Sequence, residues 1–335
     1  MRRIVAGSVL SLVFASASAL AAEDSAVEFY KGKSLQMIVA TGPGGGYDTI
    51  ARLISRHLET HLPGVTVVVR NVPGAGHIIG ANLIYGSKPD GLTIGTFSTG
   101  LMYAQIVEQK SLRFDLAKMS WIGKALTDAR VLVTGTNSEY KTFHDIKNSK
   151  REVKLAASGV GGNNYNESLM VGRTFKLPFK VIAGYTGSDS NLAIMRGGEI
   201  DGFFSGVSSI EPMVKAGRAQ YIMQFGNDLP GVPNALDLAD SEDSRAIARL
   251  LNSQSELGRL TAGPPDIPAD RLRALRAAYR GVLESEVFLA DARRLELPIV
   301  PLYGDEIRDK VIGALAQPPA VKDLLVEITS VPAAP

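Results

Sequence analysis

The chain has 335 residues, 45% of them hydrophobic, with 34 glycines and no cysteine; disulfides, thiolate nucleophiles and Cys-based metal centres are therefore excluded. Arg2 and Arg3 account for the whole formal charge of +2, so the rest of the chain is balanced, which argues against nucleic acid or anionic lipid as a partner. Such a length is large for a single core and suits two lobes.

The first 21 residues read as a secretory signal. Arg2-Arg3 is a short cationic start, Ile4 to Leu20 carries no charge, and Ala19-Leu20-Ala21 has the small-x-small pattern of a cleavage site near Ala21. No later stretch approaches the ~18 apolar residues of a membrane span. The chain is thus expected to be exported.

From residue 33 the pattern is strand, glycine turn, helix, repeated. Leu35–Ala40 is a short apolar run, followed by Gly42-Pro43-Gly44-Gly45-Gly46 and a helical stripe at Ile50, Leu53, Ile54, Leu58 and Leu62 that Pro63-Gly64 ends. Thr66–Val69 is a second strand, with a helix through Ile79, Leu83 and Ile84 stopping at Pro89-Asp90-Gly91. Leu92–Phe97 is a third. The unit recurs at Val153–Ala157, with Ser158-Gly159-Val160-Gly161-Gly162 and a helix after it, and at Val181–Ala183. Alternating strands and helices predict α/β architecture, with a mostly parallel sheet in each lobe. Expected boundaries are 22–127 for the first lobe, 128–256 for the second, and 257–335 for a return to the first plus C-terminal helices. The two crossings would form the hinge.

The glycine turns at 42–46 and 159–162 carry the chemistry. Each follows a strand and opens a helix, so backbone N–H groups at a positive helix end can hold an anion without any basic side chain. Neither turn completes a dinucleotide fingerprint or a Gly-Lys-Ser/Thr phosphate loop. Asp48, just inside the first helix, suits a capping carboxylate, with ligand contact as the alternative. His57 and His61 lie one turn apart, but the intervening Glu59 is misplaced for the zinc-protease arrangement, and they read as surface histidines with no metal. There is no Gly-x-Ser-x-Gly elbow. No catalytic constellation emerges, and a non-enzyme without cofactor is expected.

Pro43-Gly44-Gly45-Gly46-Tyr47-Asp48, Asn71-Val72-Pro73-Gly74-Ala75-Gly76, Gly80-Ala81 and Pro89-Asp90-Gly91-Leu92-Thr93 occur in order. With Ala157-Ser158-Gly159-Val160-Gly161, Tyr185-Thr186-Gly187-Ser188 and Gly197-Gly198-Glu199-Ile200-Asp201, they resemble the TctC/Bug family of periplasmic solute-binding receptors, over nearly the whole exported chain. The resemblance implies a two-lobed periplasmic-binding-protein fold (type II, Venus flytrap) in the periplasm. A small carboxylate would sit in the cleft, and the membrane components of a tripartite tricarboxylate transporter would receive it. By position it implies ligand contacts at Gly44, Gly45, Gly46, Tyr47 and Asp48, at Ser158, Gly159, Gly161, Gly162 and Asn163, at Gly187, Ser188 and Asp189, and at Thr99 after the third strand.

Some positions depart from the family pattern. His77 stands where a further glycine is usual, and Gly184, Thr186 and Ser190 replace the usual Pro, Lys and Pro. Losing a lysine and gaining Asp189 disfavours a highly charged ligand such as citrate. Tyr47 and Tyr165 could flank a flat ring, leaving aromatic carboxylates and C4 to C6 dicarboxylates as candidates. The cleft can hold its ligand through backbone groups alone, without any lysine or arginine. A ligand-sensing partner of a membrane sensor kinase is the alternative reading. An exported hydrolase lacks its nucleophile, and the effector-binding half of a transcription regulator lacks a DNA-binding head. A monomer is the default.

Overall fold

The computed structural model describes residues 27–185, 189–226 and 229–330. The leader and the expected contacts Gly187 and Ser188 lie outside these residues. Among the described residues, no helix is long and apolar enough to cross a membrane.

Two sheets organise the chain. The strands are β1 (Ser34–Val39), β2 (Thr66–Asn71), β3 (Thr93–Thr96), β4 (Ser120–Leu126), β5 (Arg130–Gly135), β6 (Val153–Ala157), β7 (Phe179–Ala183), β8 (Gly202–Gly206), β9 (Ala219–Phe225), β10 (Leu260–Gly263) and β11 (Ile299–Tyr303). The first sheet has the order β11-β4-β10-β3-β1-β2, the second β7-β6-β8-β5-β9. These are the two lobes.

Alternation builds both cores. Leu35, Met37 and Val39 of β1 face one side, against Leu53, Ile54 and Leu58 of helix Gly46–His61 and Tyr279 and Val282 of helix Ala269–Glu284. Ile38 and Ala40 face the other side, against Ile78, Ala81 and Trp121. This period of two, with a helix layer on each face, is why β1 reads as a nearly continuous apolar run. In the second lobe, Leu132, Leu155, Phe204 and Phe225 pack on Met170, Val171, Leu250 and Leu251, while Val131, Val133 and Phe203 face Ala193, Ile194 and Ile210.

The sheets are mixed rather than mostly parallel. β1 pairs in parallel with β2 and β3, and β6 with β7 and β8. β10 runs antiparallel to β3 and β4, and β5 antiparallel to β8 and β9. The reversal has a topological cause. β5 and β10 each enter their sheet from the other lobe, at the end where the neighbouring strands finish, and so run against them.

The chain leaves the first sheet at 127–129 and returns at 256–259. Its C-terminal stretch then divides. Helix Gly304–Leu315 stays on the first lobe through Ile307 and Val311, while Leu325 and Ile328 of helix Pro319–Ser330 enter the second lobe's core. Val321, Leu324, Leu325 and Ile328 form one apolar stripe, which needs such cover.

Candidate functional site

The strand ends of the two lobes face each other across a cavity of about 460 Å³. On the first-lobe side its wall is the turn from Thr41 to Tyr47 after β1, the turn from Pro73 to His77 after β2, and Ser98 after β3. The second lobe contributes Ser158, Asn163 and Asn164 around the end of β6, Tyr185 after β7, and Ser205 and Gly206 at the end of β8. Arg130 and Arg259 enter from the crossings.

The first turn is built for backbone exposure. Gly45 is the N-cap of helix Gly46–His61 and provides no side-chain cap, so the positive end of the helix faces the cavity. Asp48 does not reach the wall. Its carboxylate accepts hydrogen bonds from Gly44 N at 2.9 Å, Arg52 Nε at 3.0 Å and Asn71 Nδ2 at 2.9 Å. Burial works against its charge, but the bonds from Arg52, Gly44 and Asn71 outweigh burial and hold its pKa below the ordinary carboxylate value. Asp48 therefore fixes the shape of the turn that the glycines present.

Two arginines join the backbone groups that could suffice alone. Arg259 Nη2 lies 2.9 Å from Asp128 Oδ2, both side chains being almost completely buried. The same nitrogen donates to Ser208 Oγ at 2.7 Å and Ser209 Oγ at 3.0 Å, and the guanidinium carbon sits 4.2 Å from the centre of the Tyr47 ring. Arg259 Nε is buried with no partner among the described residues. Thus one side chain ties the return crossing to Asp128 in the first crossing, to the start of second-lobe helix Val207–Lys215 and to the first turn. Arg130, the first residue of β5, makes a bidentate pair with Glu167, both bonds 2.7 Å. Burial alone would disfavour both charges. The carboxylate keeps the guanidinium protonated, while burial raises the Glu167 pKa against the pull of Arg130.

The turn after β2 is left-handed for four consecutive residues: Gly74, Ala75, Gly76 and His77 have φ of 130°, 45°, 61° and 81°. Its function at Gly76 is a close approach between lobes. A Cβ there would stand 2.5 Å from Gly162 Cα and 2.7 Å from the Gly161 carbonyl carbon, so only glycine lets the two backbones meet. Gly161 in turn faces the side chain of Gln109 in the first lobe, and Gly100 lies against Asn163. The lobes are in contact here.

His77 closes this turn on the cavity wall. Its ring meets Tyr47 edge-on, with centroids 5.7 Å apart and planes at 69°, and its Nδ1 is buried without a partner among the described residues. Burial, reinforced by Arg130 and Arg259, pushes its pKa from 6.5 down to about 4. The imidazole is therefore neutral in the folded protein, whereas an unfolded chain protonates it below its ordinary value. That stability contribution is present above pH 6.5 and is lost as pH falls toward about 4. Urea unfolding at pH 7 and 4.5 should show the decline, and His77→Asn should flatten it.

Of the residues expected to touch a ligand, Gly44, Gly45, Gly46, Tyr47, Ser158 and Asn163 come together on the cavity wall. Asp48 and Thr99 do not. Thr99 is buried behind Ser98, its carbonyl accepting from Met102 N. Gly161 and Gly162 serve the contact between lobes, with Gly159 beside it. Asp189 is exposed and off the wall, where Ser190 and Asn191 stand instead. Tyr165 is buried and also off the wall; its expected place as a second aromatic is taken by Tyr185, Phe203 and Phe204. Arg130 and Arg259 escaped sequence reasoning because each belongs to a crossing, far along the chain from the glycine turns. His57 Nε2 engages Asp291 Oδ2 at 3.1 Å and its ring meets Phe288 edge-on, while His61 lies against Gly281.

Comparison with known proteins supplies the family. Residues 50–247 match the sequence profile described as the tripartite tricarboxylate transporter family receptor, TctC. The chain belongs to the TctC family. Members of this family are periplasmic solute-binding receptors. Among its relatives is the UPF0065 protein in the tcbD-tcbE intergenic region of Pseudomonas sp. strain P51, 27% identical over 251 residues, 71% of each chain. The periplasmic binding protein BugD superposes with a TM-score of 0.74 at 17% identity, covering 89% of this TctC chain and 98% of BugD. Rpa4515 of R. palustris, solved with adipate, gives 0.69 at 16% identity, covering 89% and 97%. These likenesses establish the periplasmic-binding-protein fold.

Proposed function

We propose that this receptor captures a small carboxylate, an aliphatic dicarboxylate or an aromatic acid, in the cavity between its lobes. It then delivers the acid to the membrane components of a tripartite tricarboxylate transporter. The observation that carries this reading is the convergence of a glycine-capped helix start with two arginines, Arg259 buried and Arg130 partly buried, on one interlobe cavity. The adipate bound by Rpa4515 supports the ligand class. Gly44, Gly45, Gly46, Tyr47, Ser158 and Asn163 form the cradle, with the crossings at 127–129 and 256–259 as the hinge. The protein acts as a monomer in the periplasm, after loss of its leader near Ala21, and turns nothing over.

The energetics suffice. Three or four hydrogen bonds to a charged group at about 1.5–3 kcal/mol each and a helix end at about 0.3–2 kcal/mol sum to about 5–14 kcal/mol, a range whose middle exceeds the roughly 8 kcal/mol of micromolar binding. The surplus offsets lobe closure and ligand ordering. The cavity volume lies within the usual range for small-molecule pockets.

A thermal-shift panel tests the proposal: malate, adipate, citrate and benzoate, with the uncharged amides of the same skeletons beside them. Stabilisation by at least one acid and by none of the amides is expected, since ligand binding to the folded state raises Tm by mass action. Stabilisation by amides equal to that by acids would defeat the carboxylate reading.

A further inference from the structure

Two residues of the cavity wall pair a left-handed backbone with a buried nitrogen that has no partner among the described residues, Arg259 and His77; Arg259 is otherwise held by Asp128, Ser208 and Ser209, and His77 is the one the cradle does not explain. His77 holds φ 81°, a left-handed conformation that costs a residue with a Cβ and costs glycine nothing. Sequence-local needs do not account for it. The hydrogen bond it makes in the turn, from its backbone N to Gly74 O at 3.1 Å, uses no side-chain atom. The ring itself has no hydrogen bond at Nδ1, which is buried, among the described residues. A strained residue with an orphaned buried polar atom on a ligand cavity points to a ligand-directed role.

The ring's surroundings say what that role is. Tyr47 meets it at 69°, so the two rings form a corner along which a flat ligand can lie, facing one ring and meeting the edge of the other. Arg130 and Arg259 share this wall, and burial, reinforced by their charges, keeps the imidazole neutral. A neutral imidazole has one N–H to donate, and a carboxylate drawn toward the arginines is the acceptor it lacks.

Building on the carboxylate reading above, we propose that His77 is a specificity-determining residue: it donates a hydrogen bond to the bound carboxylate and, with Tyr47, selects acids with a planar aromatic body over aliphatic ones.

The test uses the full exported chain and compares wild type with His77→Gly and His77→Asn, titrated calorimetrically with benzoate and adipate. Wild type is expected to prefer benzoate. His77→Gly removes donor and ring together: benzoate affinity falls about tenfold or more and the preference over adipate disappears. Its unliganded Tm stays within about 3 °C of wild type, because relief of left-handed strain offsets the added freedom of the unfolded chain. His77→Asn tolerates the left-handed conformation and keeps an N–H donor, so it restores much of the benzoate affinity without the preference. A wild type that prefers adipate, or a His77→Gly protein with an unchanged affinity ratio, overturns the proposal while leaving the carboxylate cleft standing. A wild type that binds neither these acids nor any other acid of the panel overturns the underlying reading.

Discussion

Arg259→Ala is expected to cost about 3–5 kcal/mol of stability, the penalty for stranding one member of a buried ion pair. Asp128 is almost as fully buried as Arg259, 4% against 3% of the side chain, so removing the guanidinium leaves a carboxylate without its counter-charge. Ser208 N and Ser208 Oγ still donate to Asp128, at 2.9 and 3.0 Å, which keeps the loss from exceeding that range. The same substitution releases Ser209 and removes the cation from the face of Tyr47, so ligand binding falls as well. A double variant, Asp128→Asn with Arg259→Met, should be less destabilised than Arg259→Ala because it leaves no buried charge unpaired. Urea unfolding of the three proteins decides the matter. A loss below about 1 kcal/mol for Arg259→Ala would show that water reaches this pair and that it does not tie the crossings together.

Gly76→Ala should weaken ligand binding by about 100-fold or more, equivalent to losing close to 3 kcal/mol of the second lobe's contribution. The added Cβ would lie 2.5 Å from Gly162 Cα, and backbone on both sides leaves nothing flexible to move aside. Ligand contacts from the second lobe require closure, so the variant should bind as a single lobe binds. Left-handed strain at φ 61° also costs the variant about 1–2 kcal/mol. Gly217→Ala separates the two effects. Gly217 has φ 66° with nothing within 4 Å of a built Cβ, so its variant has similar strain and no clash. Calorimetry should find Gly217→Ala close to wild type in affinity and Gly76→Ala far weaker. Equal affinities in the two would mean that the contact at Gly76 is not part of the bound state.

The fold was largely legible because local patterns encode it. Ile50, Leu53, Ile54 and Leu58 announce one helix face, and all four are buried. The apolar run of β1 announces a strand covered on both sides. Strand direction is a different matter. Nothing in Leu260–Gly263 tells that it enters from the opposite lobe, so its antiparallel pairing with β3 and β4 is a property of topology.

The site was legible where a residue's local geometry was the signal. The turn at 42–46 reaches the cavity, as its sequence suggests. The turn at 159–162 has the same signature and a different partner: Gly161 and Gly162 admit the backbone of Gly76. Glycine reports that something comes close, and the sequence does not say what. Asp48 illustrates the converse, since the capping logic that describes it correctly also removes it from the wall. Arg130 and Arg259 are separated by more than a hundred residues, and only the two crossings bring them to one cavity.

Calorimetric titration of the wild-type protein with the most stabilising acid, and with that acid's uncharged amide, tests the central claim most directly. Micromolar or tighter 1:1 binding of the acid is predicted, with the amide at least about 100-fold weaker for want of the charge-assisted bonds. Equal affinity for acid and amide would contradict a cleft built around a carboxylate.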